Sequence, residues 1–198
     1  MKILNFWMVA FMALSLSTTL TSCSDDDEKK EETEMKTLTV DATAYNQWVY
    51  VNLKDGKTQT VTMEGSDDES AVTIDCQIAI HRYTEVKTNG GSVVKTDMTD
   101  MSKVTTIPTG GYVADESEQN ILVRFAMPPT DDCYVKSHCN TAMVWTEGSA
   151  MAGTLATTNN VFVLKCKDGT YAKLQFTDFA NADNVKWHVT FNYEYPVK

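Results

Sequence analysis

Residues 76–92, "CQIAIHRYTEVKTNGGS", decide how the rest of this chain is read. The stretch belongs to a longer run, "AVTIDCQIAIHRY" at 71–83, in which apolar and polar residues alternate with period 2. That period is the signature of a β-strand with one face buried. The alternation predicts that Ile74, Cys76, Ile78 and Ile80 share one face and that Asp75, Gln77, Ala79 and His81 share the other. "TNGGS" at 88–92 then supplies the glycines that a tight turn needs at positive φ, and "SVVKTDM" leaves it as a second strand. His81 ends the first strand beside Arg82. A lone histidine there reads as a surface or hydrogen-bonded structural residue rather than a catalyst.

The same pattern recurs along the chain. "TLTVDA" at 37–42 and "WVYVNL" at 48–53 flank a polar break, "KDGK" at 54–57 is a hairpin turn, and "TQTVTM" at 58–63 returns from it. "NILVRFAM" at 120–127 reads as a strand, "NNVFVLKCKDGTYAKLQFTDF" at 159–179 as a long hairpin, and "VKWHVTFNYEYPV" at 185–197 as a last strand. Pro108, Pro128 and Pro129 mark loops. A turn or two of helix at 139–146 is the largest helical content expected. The economical fold is all-β and mainly antiparallel, a sandwich or a curled two-sheet arrangement.

The first residues are of a different kind. Lys2 precedes the apolar run "ILNFWMVAFMALSL" at 3–16, which is too short for a stable span, and the run ends in "LTSC" with Cys23 at a small-residue cleavage site. This is the pattern of a bacterial lipoprotein signal over residues 1–22, with Cys23 as the lipidated first mature residue. Buried acyl CH₂ groups contribute about 0.8 kcal/mol each to such an anchor. "SDDDEKKEETEMK" at 24–36 carries seven acidic and three basic residues, too polar to pack, so 23–36 reads as a lipidated cysteine and disordered acidic tether. Its acidic cluster resembles the surface-export signal of lipoproteins in Gram-negative anaerobes. The expected location is therefore the outer membrane, lipid-anchored and facing outward. Residues 37–198 are left as one domain by length.

The net charge of −10 gives no basic surface for nucleic acid. The three histidines share no metal-ligand spacing, no GxSxG elbow is present, and the glycine pairs at 89–91 and 109–112 do not sit between a strand and a helix. Enzymatic activity is not expected, a hydrolase ranking far below a binding protein.

"QIAIHRYTEVKTNGGS" and "NNVFVLKCKDGTYAKLQFTDF", with "WVYVNLKDGK" before them and "TAMVW" between them, resemble the HmuY family in the same order. The resemblance covers roughly residues 37–195. It implies a haemophore: a surface lipoprotein that captures haem and passes it to an outer-membrane receptor. The family's founding type holds iron between two histidines, for which this chain has no convincing pair, His138 being the nearest candidate. Related members use two methionines. Aligned on the family motifs, Met127 and Met151 fall at the ligand positions, with Met143 and Met101 as reserves. Tyr112, Phe125, Tyr134 and Trp145 flank this region as porphyrin-packing or core residues, and Arg124, Lys103 and Lys136 are candidate propionate partners. The family commonly carries tryptophan where this chain has Cys76. Two readings stay open for the cysteines: buried free thiols, or disulfides Cys76–Cys166 and Cys133–Cys139. The rival to the haemophore is a surface lipoprotein of the same fold that binds another tetrapyrrole, a glycan or a protein.

Overall fold

The computed structural model describes residues 33–82 and 84–197; the signal segment, Cys23 and most of the acidic tether lie outside the described residues. Fourteen strands follow one another: β1 (Lys36–Asp41), β2 (Gln47–Val51), β3 (Thr58–Thr62), β4 (Ile78–His81), β5 (Val86–Lys87), β6 (Ser92–Lys95), β7 (Val113–Ala114), β8 (Ser117–Leu122), β9 (Tyr134–Cys139), β10 (Thr146–Glu147), β11 (Ala156–Thr157), β12 (Val161–Lys165), β13 (Tyr171–Ala180) and β14 (Lys186–Val197). Three short 3-10 turns are the only helical elements among the described residues. The fold is all-β and antiparallel, as the alternation predicts.

A six-stranded sheet runs in the order β1-β14-β13-β12-β6-β7, and a four-stranded sheet in the order β3-β2-β4-β5. Two separate hairpins, β8–β9 and β10–β11, complete the set. The main core lies between the two large sheets. Val49, Val51, Ile78, Ile80 and Val86 pack from one side against Val93, Phe162, Leu164, Leu174, Phe176, Val189 and Phe191 from the other. Phe176 is its hub: its ring stacks on Trp145 at 4.7 Å and lies 5.5 Å from Phe191. The opposite face of the four-stranded sheet is also covered. Trp48, Tyr50, Val61 and Ala79 pack there against Ile121, Val135 and Cys139 of the β8–β9 hairpin. The architecture is thus three-layered: six-stranded sheet, four-stranded sheet, hairpin.

This third layer corrects several readings. In β4 all four residues are buried, because both faces are covered. The clean alternation over 71–83 is not one strand. Residues 72–77 run irregularly, and Cys76 joins the outer core with Ala79 while Ile78 and Ile80 join the inner one. Of the "CYVKSHC" stretch at 133–139, Tyr134–Cys139 is strand β9, with Val135, Ser137 and Cys139 inward and Tyr134, Lys136 and His138 outward. No helix forms at 139–146. β8 ends at Leu122, earlier than expected, because the N–H groups of Val123 and Arg124 both turn to the Cys133 carbonyl, at 2.8 and 3.3 Å.

All four cysteines in the described residues are free and buried. Cys133 and Cys139 bracket the extended β9, about 20 Å apart at roughly 3.3 Å per residue, so they cannot bridge. Cys76 and Cys166 line one small cleft, of about 290 Å³, but belong to different cores.

Phe176→Ala is expected to cost about 3–5 kcal/mol, since it empties the point where the Trp145, Phe162 and Phe191 rings meet. Urea unfolding of the isolated domain measures it; a loss under 1 kcal/mol would show that this contact set is not the centre of the core.

Candidate functional site

At one end of the layers, β4 runs out into the turn that carries Arg82, Thr84 and Glu85. His81 is wholly buried there. Its Nδ1 is 3.0 Å from Glu85 Oε2 and its Nε2 is 2.7 Å from the Tyr45 carbonyl, with the ring 5.4 Å from that of Trp48. Both ring nitrogens thus have a hydrogen-bond partner. His81 is therefore a fixed brace between the turn and the β1–β2 connection, hydrogen-bonded and structural as expected, but interior rather than on the surface. Burial acts to raise the Glu85 carboxyl. The hydrogen bond and charge of His81, with the backbone N–H groups of Thr84 and Glu85, outweigh that and hold it below the ordinary carboxylate value.

Arg82 continues the brace. Its guanidinium lies 3.9 Å from the centre of the Tyr45 ring and 5.3 Å from that of Trp187, and it donates to the Thr43 carbonyl. Trp187 holds φ = 72°, a left-handed backbone that costs a bulky residue about 1–3 kcal/mol, and its carbonyl accepts from Ala42 N–H at 2.9 Å. On the outer side the Tyr45 ring meets Phe125 at 6.5 Å. On the inner side Trp145 Nε1 donates to the Thr84 carbonyl at 3.0 Å. Contacts thus tie the β8–β9 connection to Tyr45 and Arg82, and the start of the β10–β11 hairpin to Thr84, in the same turn after β4.

Those two loops carry Met127 and Met151. Met127 is 79% exposed and follows Phe125, itself 62% exposed, in the β8–β9 connection. Met151 is 100% exposed at the tip of the β10–β11 hairpin. That tip is tied to itself: Thr154 N–H donates to the Ser149 carbonyl at 3.0 Å and Ser149 N–H to Thr154 Oγ1 at 3.1 Å. Gly148 makes it possible, since it holds φ = 85° and a Cβ there would stand 2.2 Å from the Thr154 carbonyl oxygen. The reserves are elsewhere. Met143 is locked in the main core, and Met101 in a satellite core with Val104, Val161 and Val163 on the outer side of the six-stranded sheet.

The other candidates separate too. Trp145 is core, and Tyr112 packs near Tyr171 beside the satellite core. Arg124 shares the Met127 loop and pairs with Asp132, whereas Lys136 pairs with Glu118 and Lys103 lies 3.8 Å from Asp100. His138 is exposed on β9 and His188 lies on β14, so the three histidines do not converge. Among the described residues no group of three His, Cys, Asp or Glu is placed to hold a metal ion. Neither Met127 nor Met151 lines either of two clefts on the molecule, one beside the β8–β9 hairpin that includes Asp131 of the Met127 loop and one beside Cys76 and Cys166. The Tyr45–Arg82–Trp187 brace was not legible in the sequence, because its members come from three distant segments.

The sequence profile of the HmuY protein matches residues 44–193, and the chain belongs to the HmuY family. Among solved structures it is similar to a Bacteroides vulgatus protein described as HmuY-like and haem-binding. The TM-score is 0.72 and the identity 30%, over 84% of this chain and 94% of that one. It is also similar to the apo HmuY analogue of Tannerella forsythia, with TM-score 0.71 and 33% identity over 85% of this chain and 98% of the other. A Bacteroides fragilis protein described as a lipoprotein gives TM-score 0.71 and 29% identity, over 85% and 92%. No curated protein matches the chain.

The Glu85 carboxylate gives a pH prediction. Its folded pKa lies below the ordinary 4.5, so its ionised form stabilises the fold at every pH above that value. The contribution is lost as pH falls from there through the folded pKa. Glu85→Gln is expected to be less stable than wild type at pH 7, with the gap narrowing below pH 4.5. Urea midpoints across pH measure it, and a gap that stays constant would disprove the assignment.

Proposed function

We propose that this chain captures haem at the cell surface, gripping the iron between the thioethers of Met127 and Met151. The observation that carries the reading is the sorting of the methionines. Within a family whose solved relatives include one described as haem-binding, the two candidates, on two separate loops, stand in solvent, while both reserves are locked in cores. Exposed thioethers on two separate loops suit a ligand that is clamped between them rather than received in a ready-made slot. Phe125 and Tyr45, beside Met127, supply aromatic surface for a porphyrin face. Arg124, on the same loop, is the cation best placed for a propionate.

A thioether is a soft, neutral donor that favours ferrous iron, and axial methionine raises the haem potential relative to histidine. Capture is therefore expected to be tighter under reducing conditions. The chain's role is binding, not catalysis. The lipobox ending at Cys23 and the acidic residues behind it support a lipid-anchored, outward-facing protein of the outer membrane, which would hand its cargo to a membrane receptor.

Titration of the soluble domain with haem, with and without dithionite, tests the reading. A red-shifted Soret band with sharp Q bands is expected in the ferrous form. Met127→Ala and Met151→Ala are each expected to weaken binding at least tenfold. Gly148→Ala, which distorts the hairpin tip but keeps the sulfur, is expected to weaken it as well. Unchanged spectra in both redox states would favour another ligand for this fold.

A further inference from the structure

A cleft of about 500 Å³ lies on the flank of the β8–β9 hairpin. One wall is the loop after β3, with Gly65, Ser66 and Asp67. The hairpin contributes Asn120, Tyr134 and Lys136 of its outer face and Val135, and Asp131 of the preceding connection also lines the cleft. Its volume is that of a small-molecule site. Its chemistry is that of a polar ligand: two carboxylates, a side-chain amide, a hydroxyl, an ammonium and one aromatic ring.

Charge narrows the class. Asp67 is met by the buried Lys87, and Lys136 by Glu118. Asp131 has no ion-pair partner among the described residues. An anion entering the cleft therefore meets an uncompensated carboxylate. The apolar surface of the cleft is the Tyr134 ring, 42% exposed, with the aliphatic parts of its polar side chains, since Val135 points into the core. A polyhydroxylated ring fits both features. Its hydroxyls donate to Asp131 and Asp67 in charge-assisted bonds and accept from the Asn120 amide, while its C–H face lies on Tyr134. At Gly65 a side chain would project into open space, so the missing Cβ leaves that wall low.

We infer that this cleft is a second ligand site, for a neutral saccharide of one or two pyranose rings. It does not depend on the haem reading. It does share structure with it: Asp131 stands just beyond the Met127–Pro128–Pro129 segment, so a sugar in the cleft buttresses the loop that carries Met127.

Calorimetry with neutral gluco-, manno- and N-acetylglucosamine oligosaccharides tests it at millimolar concentrations, with sialyllactose and spermidine as anionic and cationic comparators. At least one neutral oligosaccharide is expected to bind, at least tenfold more weakly to Tyr134→Ala and to Asp131→Asn, and unchanged to Met151→Ala. Both substituted positions are exposed, and matched thermal melts establish that the variants fold. Absence of binding by every neutral sugar would overturn the inference. So would a preference for sialyllactose or spermidine, or binding indifferent to Tyr134→Ala.

Discussion

The burial of the four-stranded sheet on both faces is the constraint on which the rest of this structure depends. Strand β4 has the six-stranded sheet's aromatic core on one side and the β8–β9 hairpin on the other. A strand so enclosed leaves no solvent for a polar side chain at its end. His81 must then find both hydrogen-bond partners inside, and it finds them in Glu85 and the Tyr45 carbonyl. An unpaired buried imidazole would cost far more than the net gain of an ordinary hydrogen bond. The rim's geometry follows from this one satisfied residue. The turn is held to the β1–β2 connection, Arg82 is laid on Tyr45, and Tyr45 is set against Phe125.

Below the rim the interior is unyielding and polar groups are few. Lys87 is buried yet ion-paired with Asp67 and Glu69 and lies 4.6 Å from the Trp48 ring. Lys173 is treated likewise by Glu194 and the Met101 carbonyl. Such pairs add little net stability but forbid alternative registers, because a slip would strand a charge in the core. The loops at the braced end can therefore expose long apolar side chains without loosening the layers beneath them.

Much of this was readable from residues alone, and the failures have a common cause. The hairpin around "KDGT", the long last strand and the glycine turn after "TEVK" all follow local rules that the structure obeys. Period 2 also places Cys166 on the apolar face with Phe162 and Leu164. What local pattern could not supply is the third layer. Covering the second face of β4 removes the need for alternation, so the regular run over 71–83 reads as one strand when only its end is. Covering the β8–β9 hairpin on one side holds 134–139 as a strand, which sets Cys133 and Cys139 too far apart to bridge. The methionines show the same limit. Their spacing against family motifs selects a pair, but only packing separates sulfurs set in core from sulfurs set in water.

The full exposure of Met151 carries a chemical liability. A thioether standing in water is open to oxidation, and its sulfoxide is a polar, chiral group in which an oxygen occupies one of the two sulfur lone pairs. Met101 and Met143, sealed in packed surroundings, are shielded from that fate. A protein whose long thioethers stand at the tips of loops keeps them intact only where oxidants are scarce or where the sulfoxide is repaired, so its working lifetime is set by its surroundings as much as by its fold.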